Sequence, residues 1–101
     1  IMKVKVNQEL KDVNDLPIKK PEGGNLTLKD VIITSVLSPI QGDDQKVKYD
    51  KYEIYKKVKE DYVGGEVELT AEEIALIKKC IGQFQPPLIL GQAFEMLEGK
   101  L

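Results

Sequence analysis

The chain has 101 residues, a net charge of -2 with mixed signs throughout, and no histidine, arginine or tryptophan. Histidine is the usual general base and metal ligand near neutral pH, and arginine is the residue that most often recognises phosphates and guanine. The composition therefore argues against most hydrolases, zinc sites and sequence-reading DNA-binding proteins, and the length is that of one domain.

The N-terminal quarter of the chain carries the signals of strands and turns. Residues 2–6 alternate apolar and charged side chains, which is the pattern of a half-exposed β-strand. Residues 14–17 combine asparagine, aspartate and proline, which favour a turn, so their flanks are predicted to pair as a short hairpin. Residues 21–25 contain a proline and two glycines and are predicted to form a loop.

The first two helices are predicted from the residues that begin and end them. Thr27 is a good N-cap for the first helix, Asp30 stands in its first turn, and Pro39 and Gly42 end it. The acidic pair at 43–44 opens the second helix, where negative charge is favourable. One apolar stripe at helical spacing runs along this second helix and consists of Val47, Tyr55, Val58 and Tyr62, with Ile54 and Lys51 beside them.

A short extended stretch and a third helix follow. Val67 and Leu69 alternate with glutamates, so this stretch is expected to pair with the N-terminal strand region. Thr70 and Glu73 have the spacing of a capping box, which predicts a helix start. Gly82 is the expected residue that ends this helix in a left-handed conformation.

The fourth helix completes the predicted fold. The proline pair at 86–87 begins it, and Gly91 is expected to allow a close helix crossing. The whole chain is predicted to be a single α+β domain over 1–101, small and mainly helical. Its N-terminal β-hairpin and loop occupy 1–25, and about four helices occupy 26–101.

No residue pattern in the chain predicts catalysis, a cofactor or a metal. Cys80 is the only cysteine, and with no histidine to activate it, a place in the core is expected. Two acidic stretches, 43–44 and 12–15, lack the glycine and terminal glutamate of a calcium loop. The adjacent carboxylate pairs all fall at predicted helix ends, as caps or solvated groups: Asp43–Asp44, Glu60–Asp61 and Glu72–Glu73. The chain is therefore predicted not to be an enzyme.

The C-terminal helices hold the strongest candidate contact surface. This segment is apolar on most faces, so it either fills the core or leaves a surplus for a partner protein or a second copy of the chain. The candidate protein-contact residues are Phe84, Leu88, Ile89, Phe94 and Met96, with Tyr52 and Tyr55 as a second patch.

The alternative function is binding of single-stranded nucleic acid by helix 43–62. Tyr49, Tyr52 and Tyr55 could stack on bases while nearby lysines contact phosphates. Six acidic residues balance six lysines in this segment, so a solvated amphipathic helix is the favoured interpretation and nucleic acid is not the expected partner.

Several motifs in this order resemble those of small proteins encoded by tailed phages and prophages. They are the turn at Asn14–Ile18, the helix start at Leu26–Val31, the block at Val67–Lys79 and the helix at Pro87–Ala93. The resemblance covers nearly the whole chain and implies a phage or prophage setting with a non-enzymatic role. Such a role is particle assembly, a minor structural part, or regulation of a phage or host protein.

The expected location follows from the cysteine and the hydropathy. A single cysteine gives no sign of an oxidising compartment, and no apolar run reaches the ~18 residues that cross a bilayer. The chain is therefore expected in the host cytoplasm, or associated with the virion, with no membrane partner.

Overall fold

The computed structural model describes residues 2–60 and 65–99. The predicted fold class is confirmed: the chain is a small α+β domain, mainly helical, with an N-terminal antiparallel β region and four helices. The elements are β1 Met2–Lys5, α1 Leu28–Leu37, α2 Gln45–Glu60, β2 Glu66–Leu69, α3 Ala71–Phe84 and α4 Pro87–Leu97.

The two strands join distant parts of the chain. β1 pairs antiparallel with β2, with Met2 opposite Leu69 and Lys5 opposite Glu66. Val4 and Val67 face each other and are buried, because alternate residues of a strand point to the same face. The predicted pairing of the 67–69 stretch with the N-terminal strand is confirmed.

The predicted turn at 14–17 closes a minimal hairpin, in which Lys11 and Pro17 form an antiparallel bridge. The chain then folds back a second time, so that three evenly spaced residues bond to one another in a ring. Leu10 N–H donates to the Leu26 carbonyl at 3.0 Å, Leu26 N–H to Ile18 at 2.7 Å, and Ile18 N–H to Leu10 at 3.1 Å. All three side chains pack into or against the core, so this backbone ring anchors the N-terminal segment.

The helix starts are those that the caps predict. Thr27 with Asp30, and Thr70 with Glu73, form complete capping boxes at α1 and α3. A carboxylate oxygen of Asp44 accepts from the Val47 N–H at 2.9 Å, so the acidic pair opens α2 as expected.

Two glycine predictions are wrong. α3 continues through Gly82 to Phe84, because the Gln85 N–H closes a further turn on the Ile81 carbonyl at 2.9 Å and the Gln85 side-chain amide is tied to the buried Ser35 hydroxyl of α1. Gly91 does not allow a close crossing, since a Cβ at either glycine would meet no atom within 4 Å beyond its own helix turn and chain neighbours. Both positions are ordinary helix interior.

Gly82→Ala is therefore expected to raise the free energy of unfolding by about 1 kcal/mol, because alanine loses less backbone entropy than glycine in a helix. Urea unfolding measures this change. Gly65→Ala is the opposing control: Gly65 has φ +77°, and a Cβ there would lie 2.5 Å from the Asn7 side chain. A lower free energy of unfolding for Gly82→Ala than for the wild type would contradict the finding that a Cβ at this position meets open space.

α1 lies at the centre of the helical layer and packs against α2, α3 and α4. Among the residues that the structure describes, the buried polar ones are Lys51 and Ser35, and the Ser35 hydroxyl accepts from the Gln85 amide at 3.1 Å. Among the helices within 2–60 and 65–99, none has the length and hydropathy of a membrane-spanning segment. Tyr62, which the sequence places on the apolar stripe of α2, lies outside the described residues.

Candidate interaction surfaces

Lys51, Asp43 and Cys80 lie close together in the core. The side chains of Lys51 and Asp43 are 6% and 7% exposed and form an ion pair. Burial raises the pKa of the Cys80 thiol, and the nearby Lys51 ammonium offsets only part of that rise. Cys80 is fully buried, which confirms the predicted core position, and a neutral buried thiol is a poor nucleophile.

The described members of the carboxylate pairs lie at helix ends, as the sequence predicts, but Asp43 is a buried partner of Lys51 rather than a cap or a solvated group. Asp44 and Glu73 cap helices, while Glu72 is exposed in the first turn of α3. Asp61 lies outside the described residues. Within the described part of the chain, no three cysteine, aspartate or glutamate side chains are grouped closely enough to hold a metal ion.

Glu73 joins α3 to α2. Burial alone would raise its pKa, but hydrogen bonds from the Thr70 amide at 2.8 Å and the Lys57 ammonium at 2.9 Å favour the carboxylate. These partners outweigh burial and hold the pKa of Glu73 below its ordinary value of 4.5. The ionised form therefore stabilises the folded state.

Glu73→Gln is expected to lower the free energy of unfolding at neutral pH by about 1 kcal/mol, since glutamine can still cap the helix but loses the Lys57 pair. In the wild type, the ionised Glu73 contributes its full stabilisation above pH 4.5, the ordinary pKa of the group. This contribution is lost as the pH falls through the lower pKa of the folded state, so the free energies of unfolding of the variant and the wild type should converge in acid. Urea unfolding between neutral pH and ~pH 3 measures this convergence. Glu72→Gln, at the exposed neighbouring position, serves as the control, and a constant difference at every pH would contradict the assignment.

The structure divides the five C-terminal contact candidates. Phe84 is 51% exposed and Leu88 is 42% exposed, at the corner where α3 ends and α4 begins. Ile89 and Phe94 are partly buried and pack against the core. Met96 is only 6% exposed, which corrects its assignment as an outward contact residue. The reason is helix geometry, because Ala93, Met96 and Leu97 form the face of α4 that packs inward.

Next to this corner, a cleft of about 550 Å³ separates α4 from the N-terminal hairpin. Gln92 fixes its two walls: its side-chain oxygen accepts from the Lys11 N–H at 2.8 Å, and its amide donates to the Lys11 carbonyl at 2.7 Å. Leu88 and Met96 line the α4 side, and Val13 lines the hairpin side. This cleft was missed from the sequence, although an apolar valine inside a polar turn was a usable signal.

The tyrosine patch is more ordered than the sequence suggests. At about 100° per residue, an arc of about 120° on α2 contains three tyrosines, three lysines and Gln45 but no acid. This Tyr/Lys stripe consists of Tyr49, Tyr52, Tyr55, Lys48, Lys56 and Lys59. The acids Asp50, Glu53 and Glu60 lie outside that arc. Glu53 nevertheless forms an ion pair with Lys56 at 3.6 Å, so at least one lysine of this face is balanced by an acid, as the sequence predicts.

The contacts within the stripe form a ladder. The ring of Tyr52 lies 6.4 Å from that of Tyr49 and 6.1 Å from that of Tyr55. Lys56 stands 5.4 Å from the centre of the Tyr52 ring, within cation–π range. Glu53 borders the stripe, and its hydrogen bond raises the pKa of Tyr49. Tyr49 and Tyr52 are exposed, whereas Tyr55 is partly buried against the core.

Comparison with known proteins finds no matching family model, no matching curated protein and no matching solved structure. The resemblance to tailed-phage proteins therefore stays a prediction from the sequence motifs. The functional reasoning below depends on the geometry of the three surfaces: the α3–α4 corner, the cleft and the Tyr/Lys stripe.

Proposed function

We propose that this chain is a non-enzymatic protein of a phage or prophage that acts by binding another protein. Its role would be particle assembly, a minor structural part, or regulation of a phage or host protein, in the host cytoplasm or on the virion. The observation that carries the proposal is the α3–α4 corner, where Phe84 and Leu88 are 51% and 42% exposed.

Phe84 and Leu88, four positions apart at this corner, both leave apolar surface that a partner could cover. Aromatic side chains are enriched at protein interfaces because they bury a large area with little loss of side-chain entropy. Ile89, partly buried in the first turns of α4, extends the patch toward the core. Cys80, the one cysteine, is buried with a raised pKa, which fits a role without catalysis.

Affinity capture of the tagged protein from prophage-induced cells, read by mass spectrometry, tests the proposal. Recovery of head or tail proteins would indicate assembly, and recovery of a host polymerase, nuclease or repair enzyme would indicate regulation. Phe84→Ser should lose the captured partner, because a polar side chain cannot replace the ring that the partner would bury. Phe84→Leu is the matched control and should retain it. Equal capture by wild type and Phe84→Ser would remove the corner as the contact surface.

The alignment of tyrosines and lysines in the Tyr/Lys stripe supports a second candidate, which is binding of single-stranded nucleic acid. The two exposed rings, those of Tyr49 and Tyr52 at 6.4 Å spacing, could stack on bases, and the flanking ammonium groups could contact phosphates. In a mobility-shift assay with oligo(dT) at ~50 mM salt, Lys56→Ala should weaken binding and Lys46→Ala, off the stripe, should not. No shift of the wild type at that salt would remove this candidate.

A further inference from the structure

The hairpin turn presents apolar side chains to solvent from a rigid frame. Val13 is 82% exposed and Leu16 is 59% exposed. One carboxylate oxygen of Asp12 accepts from the Asn14 N–H at 2.8 Å and the Leu16 N–H at 3.1 Å, and the Asp12 N–H donates to the Leu16 carbonyl at 2.8 Å. These bonds fix the turn without using either apolar side chain. Exposure of a valine and a leucine therefore adds nothing to the stability of the fold.

The turn also has a fixed position relative to α4. The paired hydrogen bonds between Gln92 and the Lys11 backbone hold the hairpin beside the helix, as a neighbouring strand would. The cleft between them is therefore preformed, and a ligand would not need to order it. Val13 on one wall and Leu88 on the other make both sides partly apolar.

The charge of the cleft is unbalanced. Its lining includes four carboxylates and one ammonium group, a local net charge of -3 against -2 for the whole chain. The carboxylates are those of Glu9, Asp12, Asp15 and Glu95, and the ammonium is that of Lys11. These carboxylates do not converge into a group that could hold a metal ion among the described residues. Because the carboxylates are spread around apolar walls, the cleft is complementary to a ligand whose cations are spread around an apolar side chain.

We propose that this cleft binds a lysine-rich or arginine-rich segment of a partner protein, with one leucine-sized side chain inserted between Val13 and Leu88. This inference rests on the proposed function, because it gives the chemistry of the partner. The apolar insertion supplies burial, and the carboxylates supply charge complementarity and orientation. Glu95, exposed on α4, and Asp15, on the turn, contact the cations on opposite walls.

Fluorescence anisotropy with a fluorescein-labelled peptide of Lys-Leu-Lys repeats tests the proposal at ~50 mM salt, where charge complementarity is weakly screened. The wild type should bind, and a peptide with glycine in place of leucine should bind about tenfold more weakly, since it loses the apolar insertion. Glu95→Lys and Val13→Ser should each weaken binding of the leucine peptide by about tenfold. Circular dichroism should show these surface variants folded.

Glu60→Lys is the matched control, because it changes the net charge equally at an exposed position of α2 outside the cleft. It should leave the affinity within about twofold of wild type. Equal weakening by Glu60→Lys and Glu95→Lys would reduce the effect to overall charge and overturn the proposal. Absence of wild-type binding would also overturn it. The proposal would also be overturned if the wild type sediments as a dimer and Val13→Ser abolishes that dimer, because a second copy of the chain would then occupy the cleft.

The two proposals can fail separately. Phe84-dependent capture without peptide binding would leave the protein-binding function and remove the cleft as its site. Peptide binding that depends on Glu95 and Val13, without Phe84-dependent capture, would support the cleft and remove the corner.

Discussion

Asp43→Ala is expected to lower the free energy of unfolding by about 3–5 kcal/mol, the largest effect of any single charge removal in the described chain. The Lys51 and Asp43 side chains are almost fully buried and pair with each other. Removing the carboxylate leaves an ammonium group in the core with no counter-charge, and its desolvation is then uncompensated. Chemical unfolding at neutral pH measures the loss.

The double variant Asp43→Leu with Lys51→Met separates an unpaired charge from lost packing. It keeps similar volumes and removes both charges, so its stability should return to near that of the wild type or exceed it. Asp44→Ala is a useful neighbour control, because it removes a cap worth about 1 kcal/mol and no buried pair. A double variant as unstable as Asp43→Ala would show that the pair itself, rather than its unpaired remnant, determines stability.

Leu10→Ala is expected to cost about 2–5 kcal/mol, the usual range for emptying a buried leucine site. Leu10 is fully buried, and its backbone forms two of the three hydrogen bonds of the backbone ring. The cavity would lie where the N-terminal segment meets the helices, so both parts should unfold together. Thermal unfolding followed by far-UV circular dichroism measures the loss.

Val13→Ala in the same hairpin is the control for Leu10→Ala. Val13 is largely exposed, so its truncation should change stability by less than about 0.5 kcal/mol. The pair thus separates the residue that holds the hairpin from the one proposed to contact a partner. A comparable loss in both variants would mean that the turn, rather than the core, limits stability.

The local features of the fold could be predicted because their causes are local. The capping boxes at Thr27 and Thr70 each involve residues three positions apart, and the 66–69 strand follows from alternation alone. The end of α3 was missed for the opposite reason. Gly82 is a strong local stop signal, but the contact of the Gln85 side chain with Ser35 of α1, 50 positions away, carries the helix past it.

The candidate sites were harder to predict because they join distant segments. Gln92 and Lys11 are 81 positions apart, and nothing near either residue indicates their paired hydrogen bonds. The burial of Lys51 required knowing that the loop before α2 returns Asp43 to it. The Tyr/Lys stripe, by contrast, could have been predicted from the sequence. A count of charges along α2 conceals it, whereas the angular positions of the residues around the helix separate the acids from Tyr52 and its neighbouring lysines.

The buried cysteine has a practical consequence for following the dynamics of this protein. Cys80 is the only thiol, it is fully buried, and its raised pKa suppresses the thiolate. A thiol reagent can therefore modify the folded chain only after a local or global opening that exposes Cys80. Under fast reclosing, the modification rate gives the free energy of that opening, and under slow reclosing it gives the unfolding rate itself. Cys80 thus serves as a built-in probe of local opening, and no cysteine has to be engineered into the chain.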